Sequence, residues 1–363
     1  MKKYSISLFI LLLITPILFA GSSNEGKKKP KPPKNIILMI GDGMGTAQVY
    51  AGFTAKHGKM NITSMPVSGF VTTYSADDYI TDSGAGGTAF ATGHKTNNGY
   101  IGVDPQGKKM PSILEMAENK GLATGLVATS AITHATPASF IAHTSNRAEY
   151  ANIAFDFLKT DIDVFIGGGY NHFARRADSL NLIDSLMAHG YFIARDLKDV
   201  DVPTTKKLAA LLADEHMSRM SKGRGNMLPD ATVMAIKMVK KNKKGFFMMI
   251  EGSQIDWGGH DNDLNYIVDE VVDFDNAVGK AIEFAAKNGE TLVIVTADHE
   301  TGGLGLIGGN IEKGEVQGAF IRKDHTATMV PLFAFGPGAE KFTGLQDNTD
   351  IFKKCVELLG LNK

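Results

Sequence analysis

The chain has 363 residues, and its 38 Lys and Arg against 39 Asp and Glu give a formal net charge of −1. This balance argues against nucleic-acid binding through bulk positive charge. Hydrophobic residues make up 43% and charged residues 21% of the chain, which is ordinary globular usage and excludes a disordered or coiled-coil protein. Because the chain has only one cysteine, Cys355, neither an internal disulfide nor a multi-cysteine zinc site can form. Any metal must therefore be bound by His, Asp and Glu.

The N-terminal part of the chain is typical of an exported protein. Two lysines, a short apolar run and a small residue before a glycine predict a secretory signal peptide at 1–20. The run is shorter than the roughly 20 apolar residues that span a bilayer, so an uncleaved membrane anchor is the less favoured alternative. Residues 21–34 are rich in Lys and Pro and are predicted to form a flexible leader. We therefore expect a secreted or periplasmic protein whose single folded domain is 35–363.

From residue 35 onward, short apolar runs alternate with segments of helical periodicity. The apolar runs predict strands at Asn35–Ile40, Ala123–Ala128, Val164–Ile166, Phe246–Ile250 and Leu292–Thr296. The periodic segments predict helices at Ile113–Asn119, Ala148–Lys159, Leu264–Lys287 and Asp350–Leu359. Unbroken apolar strands are typical of parallel sheets that are buried on both faces. The predicted fold class is therefore α/β, a three-layer sandwich with a mainly parallel central sheet flanked by helices, in which ligands bind beyond the carboxyl ends of the strands.

Three of the predicted strands are followed by residue types that ligate metals. These residues are Asp42 after the first strand, Glu251, Asp256 and His260 after the fourth, and Asp298, His299 and Glu300 after the fifth. One acid after a strand is usually a helix cap, and one Asp/His pair is often a surface hydrogen bond. Several carboxylates at one sheet edge would repel each other, however, unless divalent cations neutralised them. Mixed carboxylate and imidazole ligands suit zinc.

A segment of small residues around Ser83 gives the second chemical signal. Ser83 stands at the predicted N-terminus of a helix, where free N–H groups and the helix dipole favour an oxyanion or a phosphate. The alternative is a helix cap formed by Asp82 or Ser83. The sequence has no GxSxG elbow and no compact Ser/His/Asp triad, so metal coordination would have to activate this serine.

A third set of residues consists of His134, Thr136 and Arg147. The planar guanidinium of Arg147 matches the oxygens of a phosphate group, although a surface salt bridge is the alternative for an isolated arginine. Together with Ser83 and the metal ligands, this set predicts phosphoryl transfer to serine.

From about Asn35 to Gly360, these motifs in this order resemble those of the alkaline phosphatase family. The resemblance implies that Ser83 is the phosphorylated nucleophile and that Arg147 binds the phosphate. It also implies two zinc ions and one magnesium ion: the first zinc on Asp256, His260 and His325, the second zinc on Asp42, Asp298 and His299, and the magnesium on Asp42, Thr136 and Glu251. The implied substrates are small phosphate monoesters, and the implied assembly is a homodimer.

Two positions differ from some members of that family. His134 stands where some members have aspartate, and Trp257 where some have lysine or histidine; we expect both beside the metal ligands, with an effect on magnesium binding and product release. The short segment between His299 and His325 predicts only a small insertion and an open site. The other histidines match no ligand position, and most are expected to be structural or exposed; these are His57, His94, His143, His172, His189 and His216.

Three other functions compete with a phosphomonoesterase. A sulfatase is disfavoured because Ser83 is followed by Gly84 and Ala85 and the Cys/Ser-x-Pro-x-Arg motif is missing there. A phosphodiesterase that shares the metal core stays open at this stage. A binding protein without turnover is disfavoured because a nucleophile accompanies the full ligand set.

Overall fold

The computed structural model describes residues 31–362, so the predicted signal peptide and most of the predicted leader lie outside the described residues. Within residues 31–362, each helix is either too short or too polar to cross a membrane.

The structure contains a large sheet and two small antiparallel strand pairs. In chain order, the strands are β1 (Asn35–Gly41), β2 (Val67–Thr72), β3 (Ala123–Ala131), β4 (Val164–Gly168), β5 (Tyr191–Ala194), β6 (Lys207–Leu211), β7 (Phe246–Gly252), β8 (Thr291–Thr296), β9 (Glu300–Thr301), β10 (Leu304–Asn310), β11 (Glu315–Phe320), β12 (His325–Thr326), β13 (Val330–Phe335) and β14 (Gly344–Asp347). The large sheet has the order β14-β2-β13-β8-β1-β7-β3-β4-β6-β5. Its strands are parallel except β13, which runs antiparallel to β2 and β8. The small pairs are β10 with β11 and β9 with β12.

All five predicted strands are present, as β1, β3, β4, β7 and β8. Every residue of these strands is buried, as the unbroken apolar runs predicted. The sheet is mainly parallel, as predicted, but the alternation of strands with helices is interrupted at β13, which returns antiparallel, and at the β10–β11 hairpin, which lies between His299 and His325.

The described α-helices number eleven. They are α1 (Thr46–Ala55), α2 (Ser83–Thr92), α3 (Ile113–Asn119), α4 (Ala135–Ala138), α5 (Tyr150–Asp156), α6 (Tyr170–Ala174), α7 (Leu182–Ala188), α8 (Met227–Val239), α9 (Ile255–Asp261), α10 (Leu264–Asn288) and α11 (Asn348–Leu359). The helix predicted at Ala148–Lys159 is shorter than expected. It begins only after Glu149, whose ψ of 54° is not helical, and its C-terminal end tightens into i to i+3 turns at Leu158 and Lys159.

The helices cover both faces of the sheet. Helix α10 contacts α1 and α8, and α2 contacts α4 and α11. Gly289 and Gly360 end α10 and α11 with left-handed φ values of 69° and 66°, the conformation that glycine adopts at lowest cost. The resulting three-layer α/β sandwich is the predicted fold class. Because β8, β1 and β7 are neighbours in the centre of the sheet, the residues that follow them meet at one edge.

Candidate metal centre and nucleophile

The centre of the site lies at the carboxyl ends of β1 and β8. Asp42 follows β1, and Asp298 and His299 follow β8; all three side chains are fully buried. His299 Nε2 lies 3.5 Å from Asp42 Oδ1 and 3.4 Å from Asp298 Oδ2. These three donor groups are close enough to bind one ion. This is the set that the sequence assigned to the second zinc.

The set assigned to the first zinc comes from α9 and β12. Asp256 and His260 are on α9, four residues apart, and His325 begins β12. His260 Nε2 lies 3.3 Å from Asp256 Oδ1, His325 Nε2 lies 3.5 Å from the same oxygen, and the two Nε2 atoms are 3.2 Å apart. Three donor atoms within 3.5 Å of each other form a compact cluster suited to a tetrahedral ion.

Backbone carbonyl groups orient the two imidazoles of this cluster. His260 Nδ1 donates to the Lys323 carbonyl at 2.6 Å, and His325 Nδ1 donates to the Thr81 carbonyl at 2.9 Å. Because Nδ1 carries the proton in both rings, the Nε2 atoms face the cluster. A hydrogen bond of this kind to the second nitrogen is typical of metal-ligating histidine.

A third group of possible ligands lies on the other side of Asp42. Glu251, at the end of β7, and His134 place ligand atoms within 4.8 Å of each other and of Asp42. Thr136 Oγ1 donates to Asp42 Oδ2 at 3.4 Å, and Ser253 Oγ donates to Glu251 Oε2 at 2.7 Å. The family resemblance placed Thr136 among the magnesium ligands and His134 beside them; in the structure Thr136 contacts Asp42, and His134 lies beside Asp42 and Glu251.

Four buried atoms of these groups have no hydrogen-bond partner within residues 31–362. They are Asp42 Oδ1, Glu251 Oε1, Asp298 Oδ2 and His134 Nδ1. A buried polar atom that lacks a partner costs free energy, and buried polar groups are nearly always paired. The carboxylate and imidazole donors therefore fit bound dications, which would supply the missing partners.

Burial and mutual repulsion raise the pKa values of the Asp42, Glu251 and Asp298 carboxyl groups. Burial, reinforced by Asp298, Asp256 and Glu251, raises the pKa of Asp42 well above its usual range. Burial raises the pKa of Glu251 to about 7 and that of Asp298 to about 6. Positive charge in the site would remove this penalty.

The pKa values of the His134 and His260 imidazoles are shifted in opposite directions. Burial and, second to it, the positive charge of Arg147 lower the pKa of His134 to about 3, so its ring is neutral and can ligate a metal. The hydrogen bond to Asp256 outweighs burial and raises the pKa of His260 to about 9. Below that pH, an ion entering the first cluster must displace a proton from His260.

Ser83 is the first residue of α2 and lies beside the second cluster. Its Oγ is 3.3 Å from His299 Nε2. Asp82 caps the helix by accepting the Ala85 N–H at 2.8 Å. The capping alternative is therefore correct for Asp82, while Ser83 faces a cavity of about 560 Å³ that is also lined by Arg147.

Asp82 also orients Arg147, a role that the sequence did not reveal. Arg147 Nη1 donates to Asp82 Oδ2 at 2.7 Å, and Nη2 lies 3.5 Å from His134 Nε2. The two partners are 65 residues apart, so local sequence carried no signal for this pair. The guanidinium is thereby fixed at the wall of the cavity.

The other predicted residues have different outcomes. Trp257 lines the cavity beside His134. Glu300, which the sequence grouped with the metal-ligand residue types, has a structural role. Its carboxylate accepts hydrogen bonds from Gln48 and from the N–H groups of Gly303 and Leu304, and so stabilises the turn into β10. His216, one of the histidines expected to be structural or exposed, packs against His134 and Trp257 at the edge of the site.

We predict that zinc affinity rises with pH. Among the proposed zinc ligands, the pKa of Asp298 is about 6 and that of His260 about 9 in the ion-free protein, so an ion that binds at lower pH must displace their protons. The chelator-treated protein should therefore have half of its bound zinc restored at a lower buffered free-zinc concentration at pH 9 than at pH 6. The same half-restoring concentration at both pH values would contradict the assignment of these ligands.

Known proteins resemble this chain over nearly its full length. The family model described as alkaline phosphatase matches residues 33–317. Alkaline phosphatase 4 of Bacillus subtilis is 36% identical, with 100% of this chain and 98% of that protein covered. The structure of alkaline phosphatase from the Antarctic bacterium TAB5 has 43% identity and a TM-score of 0.88, with 92% of this chain and 100% of that chain covered. A histidine-to-aspartate variant of the TAB5 enzyme, with 42% identity, a TM-score of 0.88 and the same coverage, has magnesium bound in its M3 site. The chain belongs to the alkaline phosphatase family and is therefore a phosphomonoesterase.

Proposed function

We propose that this enzyme hydrolyses phosphate monoesters through a phosphoserine intermediate on Ser83. One observation carries the proposal: the Ser83 hydroxyl stands at the N-terminus of α2, 3.3 Å from His299, and shares its cavity with Arg147. A nucleophile, an anion-binding helix end and a phosphate-binding guanidinium thus surround one space.

We further propose that two zinc ions and one magnesium ion occupy the site. Asp256, His260 and His325 would hold the first zinc, and Asp42, Asp298 and His299 the second; their mixed nitrogen and oxygen donors suit zinc. Asp42, Thr136 and Glu251 would hold the magnesium, which prefers oxygen ligands. The magnesium in the M3 site of the TAB5 variant supports a third ion. When bound, these ions lower the pKa of the Ser83 hydroxyl and stabilise negative charge on the leaving oxygen.

The residues of the chain then perform two displacements at phosphorus. Ser83 Oγ loses its proton to solvent and attacks the phosphorus in line, so that the ester oxygen leaves, takes up a proton from solvent as the alcohol, and phosphoserine forms. Water next attacks phosphoserine from the vacated side and regenerates the Ser83 hydroxyl with release of phosphate. Throughout, Arg147, held by Asp82, binds the equatorial oxygens of the phosphoryl group.

Replacing Ser83 tests this mechanism. Ser83→Ala removes the nucleophile and should lower kcat for p-nitrophenyl phosphate by about a thousandfold or more. Rapid acid quench of a labelled monoester should detect phosphoenzyme in the wild type and none in Ser83→Ala. Ser64→Ala, at an exposed serine outside the site, is the matched control and should keep full activity. Labelled protein in the Ser83 variant would refute the assignment, and faster turnover of bis-p-nitrophenyl phosphate than of the monoester would favour the diesterase alternative.

We also propose that two copies of the chain pair through an apolar surface formed by Tyr50, Phe53, Phe70, Pro331 and Phe333. These residues line one depression on the outside of β2, β13 and α1. The side chains of Tyr50 and Phe70 are 50% and 46% exposed, which is unusual for aromatic residues that share a patch. A two-fold axis would bury each surface against its copy.

If two copies pair through this surface, a charge placed in it should change the mass of the protein in solution from that of two chains to that of one. Light scattering of the wild type should give the mass of two chains, and Phe70→Asp should give the mass of one because it places a carboxylate in the interface. A wild type that is monomeric at micromolar concentration would contradict the proposal.

The N-terminal pattern supports export, and we propose that 1–20 is a cleaved signal peptide, that 21–34 is a flexible leader and that 35–363 is a single catalytic domain. The intact mass of the exported protein tests this, because it should correspond to a chain beginning near residue 21. A mass that includes the first 20 residues would contradict cleavage.

A further inference from the structure

His216 lies on the loop between β6 and α8 and belongs to none of the proposed ligand sets. Its ring centroid is 4.8 Å from that of Trp257, with an interplanar angle of 76°, and 5.6 Å from that of His134, with an angle of 84°. The His134 and Trp257 rings are themselves 6.1 Å apart at 88°. Three rings therefore meet edge to face, a favourable arrangement for aromatic groups.

One hydrogen bond links His216 to the strand that leads to His134. His216 Nδ1 accepts the backbone N–H of Ala131, the last residue of β3, at 3.0 Å. This acceptor role places the ring proton on Nε2. Ala131 in turn accepts the His134 N–H through its carbonyl at 2.9 Å. The same short segment thus positions both histidines.

The backbone on either side of His216 is held firmly. The Glu215 carbonyl accepts the Gly169 N–H at 2.6 Å, and the Met217 carbonyl accepts the Gln254 side chain at 2.8 Å. A Cβ at Gly168 would lie 2.0 Å from the Glu215 carbonyl oxygen, so glycine is required for this close approach. A loop anchored in this way presents one ring orientation to the site.

We propose that His216 is a positioning residue that sets the orientation of Trp257 and His134 in the cavity wall. Trp257 adjoins Asp256 in the chain and lines the cavity, and His134 lies between Asp42 and Arg147. A shift of these two rings would therefore change the space in which the phosphate group meets Arg147. Displacements of this kind can cost a large factor in rate even when every reacting group is present.

Trp257 provides a direct test because it is the only tryptophan of the chain. His216→Ala removes the supporting ring, so the Trp257 emission should shift to longer wavelength and acrylamide should quench it more strongly. The value of kcat for p-nitrophenyl phosphate should fall about tenfold. His216→Phe keeps a ring, and its emission and quenching should stay near those of the wild type, with kcat within about threefold.

A control variant and a second substitution at His216 complete this test. His189→Ala, at an exposed histidine that precedes β5, should change neither emission nor kcat. If circular dichroism shows that His216→Ala does not fold, His216→Asn serves instead, because its side-chain oxygen can still accept the Ala131 N–H while the ring is lost. Wild-type emission, quenching and kcat in the ring-deleted variant would overturn the proposal, as would equal damage in His216→Phe.

The activity readout rests on the proposed phosphatase function, whereas the emission readout does not. A wild type without phosphatase activity would refute the proposed function and leave the emission comparison to decide the role of His216.

Discussion

Repulsion among buried carboxylates is the constraint on which the rest of this site depends. Asp42, Glu251 and Asp298 meet at the ends of three adjacent central strands, fully buried, and each keeps an oxygen without a hydrogen-bond partner within residues 31–362. Within residues 31–362, the cation that lowers the pKa of Asp42 is Arg147, which Asp82 already binds. Bound dications would resolve the conflict, and ions that neutralise the carboxylates would also bring positive charge next to Ser83.

The rigidity of the surrounding sheet makes this arrangement reproducible. Strands β8, β1 and β7 are buried along their whole length and paired in continuous register. The ligands extend from the ends of these strands or from the short elements α9 and β12, and backbone carbonyl groups fix the imidazoles of His260 and His325. The fold therefore sets the positions of these side chains before any ion binds. This reduces the free energy needed to organise the site when an ion binds.

Much of this site could be predicted from the sequence because its chemistry follows directly after strongly apolar strands. An unbroken run such as that of β1 is incompatible with a half-exposed strand, so it predicted a central position and placed Asp42 at the sheet edge. Elements whose character depends on tertiary contacts were missed. Strands β5 and β6 are short and lie near the sheet edge, and the direction of β13 is set by packing and not by local sequence.

The direction in which a side chain points was the other feature of the site that the sequence could not predict. Glu300 looked like a ligand because it adjoins His299, but its carboxylate turns away to brace the β10 hairpin. His216 reaches the site from a loop that has no local pattern, and the Asp82 contact of Arg147 joins distant segments. These facts depend on the folded chain and leave no trace in spacing or periodicity.

The metal content of the purified enzyme and of two matched variants tests the central claim most directly. Because Asp42 is shared between two of the proposed ion sites and Asp256 belongs to one, the account predicts three ions per wild-type chain, a loss of two in Asp42→Asn and a loss of one in Asp256→Asn, measured by plasma mass spectrometry. Equal losses in the two variants, or a fully active wild type without stoichiometric metal, would contradict it.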